Sequence, residues 1–163
     1  MSDYYVKHLN VALPLDAAAA IVDHALRLGR EHGLLPLTVA VLDTGGHLLA
    51  FKREDGSGIM RGDIAMGKAW GALGMGISSR TIRNRLADRP SFQAALAATS
   101  QGRFVPVPGG VLICDDNGTV IGGVGISGDA SDKDEFAAIE AVKAAKLTPY
   151  PDEPVDNWKD AGL

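Results

Sequence analysis

The run Val111-Leu-Ile-Cys-Asp-Asp-Asn-Gly-Thr-Val-Ile-Gly-Gly-Val-Gly-Ile126 decides the fold class. An apolar stretch reaches Asp115, crosses Asp116-Asn117-Gly118, and returns as a second apolar stretch, which is the pattern of two antiparallel strands. Asn117-Gly118 tolerates positive φ, so a tight type I′ turn is expected there. Upstream the same order recurs. Leu37 to Asp43 is β-rich, Thr44-Gly45-Gly46 reads as a turn, and His47 to Arg53 forms the return strand. The echo is what hairpins look like and need not mark an ancient repeat.

Helical periodicity fills the spaces between the hairpins. Leu15 to His32 places Ala18, Ile21, Val22, Ala25, Leu26 and Gly29 on one face, with Asp16 as the expected N-cap and Gly33 just past the end. A second helix is expected over about 62–75, where Gly67 and Gly71 open a flat face for close backbone approach. Ser79 is the expected cap of a short helix through Leu86, and Pro90-Ser91 starts another through Ala98. Ser131 and Asp134 resemble a capping box opening the last helix, with Lys143 and Lys146 complementing the dipole near its end. Hairpins and helices that do not alternate strand by strand imply an α+β fold, an antiparallel sheet with helices packed on it.

The 163 residues fit one domain, expected over 1–147, followed by a Pro-rich tail over 148–163 that Trp158 anchors. Net charge is −4, with the acids gathered after Cys114, which argues against nucleic acid as a partner. Cys114 is the only cysteine, so neither an internal disulfide nor a Cys-based zinc site is expected. The start, MSDYYVKHLN, lacks a basic segment leading into an apolar one, and no run is long enough to span a bilayer. A cytoplasmic protein without a membrane partner is the expectation.

Several motifs invite chemistry, and each has a plainer reading beside it. Gly123-Val-Gly125-Ile-Ser-Gly128 matches a dinucleotide fingerprint in letters only. It follows the second arm of a hairpin, and the acids at 129, 132, 134 and 135 would repel a pyrophosphate. The seven glycines over 109–128 then need another reason, either close packing of a helix or partner, or a ligand. Asp134 and Glu135 serve the helix dipole, or one of them acts as a general base. Lys68, in an otherwise apolar helix, either snorkels to solvent or sits buried beside a carboxylate. His8, His24, His32 and His47 show no metal spacing, though His47 beside its turn is a candidate ligand contact. Arg80, Arg83, Arg85, Arg89 and Arg103 form a basic cluster that pairs with acids elsewhere or receives an anion. No G-x-S-x-G nucleophile elbow occurs.

Taken in order, Thr38 to Asp43 with Gly46, Phe51-Lys52-Arg53 with Asp55-Gly56, Ala65 to Lys68-Ala69, Pro108-Gly109-Gly110-Val111, and Val120 to Gly128 with Asp134-Glu135 resemble the GlcG/HbpS family, which includes the C-terminal domain of PduO. That likeness covers about residues 10–147. It implies a profilin-like fold, an antiparallel sheet flanked by helices, assembling as homo-oligomers of two or more copies. It also implies haem binding in some members, uncertain chemistry in many, and a frequent setting in small organic-acid catabolism. The family's pocket region would map onto Arg53, Lys68, Gly109, Gly110, Gly125, Ser127, Asp134 and Glu135. Leu112 stands where the family often has Pro, and no axial-ligand motif carries over.

Three functions follow as expectations. A small-molecule-binding protein would hold haem or a related planar cofactor, with Arg53, His47, Gly109, Gly110, Gly125 and Ser127 as contacts. An enzyme needing no cofactor would use Lys68, Asp134 and Glu135 as its catalytic groups on a small organic acid or aromatic metabolite. An assembly protein would use the glycine surfaces for subunit packing alone.

Overall fold

A computed structural model describes residues 6–163; residues 1–5, part of the N-terminal reading above, lie outside the described residues. The elements run α1 (Leu15–Glu31), β1 (Thr38–Leu42), β2 (Leu48–Arg53), α2 (Met60–Met75), α3 (Ser79–Leu86), α4 (Pro90–Thr99), β3 (Gly110–Cys114), β4 (Val120–Ser127), α5 (Ser131–Ala144) and β5 (Thr148–Tyr150). The five strands form one sheet in the order β2-β1-β4-β3-β5, every pairing antiparallel. Among the described residues, no helix is long and apolar enough to cross a membrane.

Alternation along the strands sorts the two faces. Val39, Val41, Val111, Ile113, Val124 and Ile126 join the apolar faces of α1 and α5 in the main core. The other face receives α2, and where the middle of that helix crosses it the strands carry almost no side chain. Gly110 on β3, Gly125 on β4 and Ala40 on β1 lie side by side across the sheet. A methyl group at Gly125 would strike the Ala65 carbonyl, and one at Gly110 would strike the Lys68 carbonyl. The helix matches this floor with Ala65, Ala69 and Ala72, all fully buried. Gly110 and Gly125 are therefore filled by a helix backbone, while Gly123 faces the Leu73 side chain. Gly67 and Gly71 do the same on the far side of α2, where Val105 and Phe104 press against them.

Both hairpins form, and they share one geometry. Asp43 Oδ1 accepts from Gly45 N and His47 N, each at 2.9 Å; Asp115 Oδ1 accepts from Asn117 N and Thr119 N at the same distances. Gly46 and Gly118 hold φ of 81° and 77°, while Asn117 stays at negative φ. The turn is thus a three-residue loop closed by a left-handed glycine, and not the type I′ turn expected from Asn-Gly. The Asp side chain supplies the reason, since it binds two loop amides that a two-residue turn would lack.

Helix ends also depart from expectation in detail. Gly33 closes α1 as foreseen, with Gly33 N on Arg30 O and Leu34 N on Gly29 O. Asp16 is not the N-cap; Pro14 holds that place, and Asp16 sits inside the first turn. Ser78 rather than Ser79 caps α3, accepting from Thr81 N at 3.2 Å, which frees Ser79 for the sheet. Ser131 and Asp134 form no capping box, because Ala130 is the cap and Asp134 reaches back to Asp129 N instead. Lys143 pairs with Glu140 and Glu153, while Lys146 lies beyond the helix at φ 61°. The tail set apart at 148 is built into the sheet: Thr148–Tyr150 pairs with β3, and Trp158 stacks on Phe136 at 3.7 Å.

Candidate functional site

Two polar assemblies stand out, one inside the molecule and one at its surface. The interior one centres on Lys68, whose side chain is only 2% exposed. Its Nζ donates to Ile126 O at 2.9 Å and to Asp134 Oδ2 at 3.0 Å. Asp134 Oδ1 accepts from Asp129 N at 2.9 Å, so the carboxylate is satisfied on both oxygens. Burial pushes the Lys68 ammonium down from its usual value, and Asp134 opposes that shift. Burial likewise raises Asp134 to about 6, with Lys68 opposing. The pair joins α2, β4 and the start of α5 through groups 58 and 66 residues apart.

Glu135, next along α5, points elsewhere. Its side chain is fully buried, and neither carboxylate oxygen has a hydrogen-bond partner. Arg80 Nε lies 3.4 Å away, and the same guanidinium donates to Glu153 O at 3.1 Å. Burial raises Glu135 to about 7, against the pull of Arg80. A carboxyl that binds its proton more tightly when folded stabilises the fold at low pH, and that stabilisation fades between the ordinary 4.5 and about 7. Urea unfolding at pH 5 and pH 8 should then differ, with stability lower at pH 8 by on the order of 3 kcal/mol from this group. Glu135→Gln should remove that share and leave the smaller fall that Asp134 contributes over the same range. An unchanged pH dependence in the variant would show that Glu135 is not its source.

The remaining sequence candidates scatter. Gly109, at φ 120°, and Gly110 lie against Lys68, and Ser79 Oγ accepts from Gly110 N at 2.7 Å. Ser127 Oγ accepts from Arg61 Nη1 at 3.2 Å. Arg53 is exposed at the end of β2, across β1 from the Ser127 end of β4. His47 lies at the opposite end of β1, 80% exposed, with Nδ1 3.2 Å from Asp43. Lys68, Asp134, Gly109, Gly110 and Gly125 thus meet in one packed interior; Arg53 and His47 do not join them.

The surface assembly was not marked in the sequence. A cleft of about 410 Å³ opens beside Trp70, whose ring edge crosses Gly46 of the first hairpin. Leu42, Leu48 and Met66 give it apolar walls, and Asp63, Gln101 and Arg103 add polar groups. The Arg103 guanidinium lies over the Trp70 ring, 4.3 Å from its centroid. A volume of this size is within the roughly 300–1,000 Å³ typical of small-molecule sites. One signal was available: Asp63, Met66 and Trp70 recur at three and four residues, an outward stripe on a helix whose other face is alanine and glycine. Arg61, beside Ser127, carried no such signal.

The family model described as haem degrading protein HbpS-like matches residues 13–143. The chain belongs to the HbpS-like family. This HbpS-like chain is 32% identical over 108 residues to an uncharacterized 15.0 kDa protein of the dhaT-dhaS intergenic region of Citrobacter freundii, covering 66% of this chain and 75% of that one. Its fold is similar to the crystal structure of a PduOC–heme complex, with TM-score 0.73 and 25% identity over 84% of this chain and 97% of the other. Klebsiella pneumoniae protein ORFY superposes with TM-score 0.75 and 26% identity, covering 89% of this chain and 98% of that one. The α+β architecture expected from the hairpins is the family's architecture.

Proposed function

We propose that this HbpS-like protein binds haem, or a closely related planar ligand, in the Trp70 cleft. The observation that carries the reading is the cleft itself, apolar on Leu42, Leu48 and Met66, with Arg103 laid over Trp70. Haem offers a flat apolar ring and two carboxylates. An aromatic wall stacks against such a ring, and a guanidinium pairs with a carboxylate in planar fashion. The residues fit the ring and its acids. When bound, haem supplies one-electron and oxygen chemistry that side chains lack. In this reading Lys68 and Asp134 act at a distance, holding α2 on the sheet so that Met66 and Trp70 keep their place.

A homo-oligomer is part of the same proposal. Phe51, Ile59 and Met60 are exposed at the β2–α2 corner, and an apolar surface there favours contact between copies. The cytoplasm remains the proposed compartment, with the single, buried thiol of Cys114 in keeping.

Titration with hemin tests the reading. A saturable Soret shift with parallel quenching of tryptophan fluorescence is expected, and Trp70→Ala or Arg103→Glu should weaken binding about tenfold, near 1.4 kcal/mol. Binding that never saturates, or that both variants leave unchanged, would remove the cleft from consideration.

A further inference from the structure

The cleft is furnished for a ring more than for a metal. Haem iron is held in proteins by His, Cys thiolate, Tyr, or Met paired with His. Among the described residues, no His, Cys, Tyr or Lys side chain lines this cleft; its donors are the Met66 thioether, the Asp63 carboxylate and the Gln101 amide.

The described histidines and the cysteine stay out of its lining, although His47 falls between the lining residues Gly46 and Leu48. His32 sits edge-on to Phe136 at 4.8 Å, on the α1/α5 side of the sheet, and His24 is bonded to Arg27. His47 is tethered to Asp43, and His8 lies in the exposed segment before α1. Cys114 is buried with Leu112 and Ala72, its thiol pushed up by that burial. Stacking on Trp70 and pairing with Arg103 act on the macrocycle and its carboxylates, which are the same with or without iron.

We infer that the cleft recognises the planar, carboxylate-bearing tetrapyrrole as such, and binds the metal-free ring about as well as the iron complex. This rests on the reading of the cleft as the tetrapyrrole site. It makes the ligand class wider than haem and leaves iron without a strong ligand among the described residues.

Parallel titrations with protoporphyrin IX and hemin decide the matter, read by tryptophan quenching and by each ring's own absorption. Dissociation constants within about fivefold are expected, as is an equal loss for both rings in Arg103→Glu. The bound hemin should keep the same visible spectrum in Met66→Leu and in His47→Ala. Hemin binding more than about fivefold tighter than the free ring would overturn the inference, as would a hemin spectrum altered by either substitution. Failure of both rings to bind, or binding indifferent to Trp70 and Arg103, would instead defeat the assignment of the cleft.

Discussion

Lys68→Met should destabilise the protein by about 3–5 kcal/mol, measured as a shift in the urea midpoint at constant m-value. The side chain is replaced by one of similar length, so little volume is lost. What changes is Asp134, 1% exposed, which keeps one amide donor and loses the cation it is bonded to, leaving only the more distant pull of Arg61. An uncompensated buried carboxylate is among the few causes of losses this large. It can escape by taking up a proton, and burial has already moved it to about 6. The variant should therefore lose less at pH 5 than at pH 8. Adding Asp134→Asn removes the stranded charge while keeping an acceptor for Asp129 N, and should recover much of the loss. A single variant within about 1 kcal/mol of the parent would mean that Lys68 does not hold the layers together.

The second large effect concerns one methyl group. Gly125→Ala should cost more than about 4 kcal/mol or prevent folding, because both sides of the clash are backbone. The new Cβ would enter the Ala65 carbonyl, with Ala69 N also only 3.0 Å away. Strand β4 lies between β1 and β3 and cannot retreat without breaking two ladders. Helix α2 cannot rise without lifting Lys68 from Asp134. Gly58→Ala is the matched control, since nothing lies within 4 Å of the added methyl there. It should fall within about 0.5 kcal/mol of the parent. Equal behaviour of the two variants would mean that the helix does not rest on the glycine floor.

The fold was legible because its strongest signals are local. Each hairpin carries its strands and its turn within about twenty residues, and helix α1 carries both its stripe and its terminal Gly33. Turn type was misread because Asp115 acts through its side chain, which letters alone place at no particular amide. The choice between Ser78 and Ser79 hung on one residue of phase. Ser79 is drawn instead to Gly110, 31 residues on.

The site was less legible, for a physical reason. Lys68 reads equally as a snorkelling lysine or a buried one until its partner is known, and that partner is 66 positions away. The glycines of 109–128 stayed open between ligand and helix because both demand the same absence of a side chain. Trp70 became visible only once the first hairpin and the 101–103 segment were seen to meet around it. Strand β5 is three residues long with Pro149 at its centre, so neither length nor alternation announced it.

That short strand has a bearing on how copies can meet. Pro149 lacks an amide hydrogen, so the outer rim of the sheet offers no complete row of donors on that side. At the other rim, β2 carries Lys52 and Arg53, whose charge discourages a neighbour from adding itself edge to edge. Continuous ladders from one molecule into the next are disfavoured at both margins. In the proposed homo-oligomer, contact would be left to side-chain surfaces, which can close on themselves and stop.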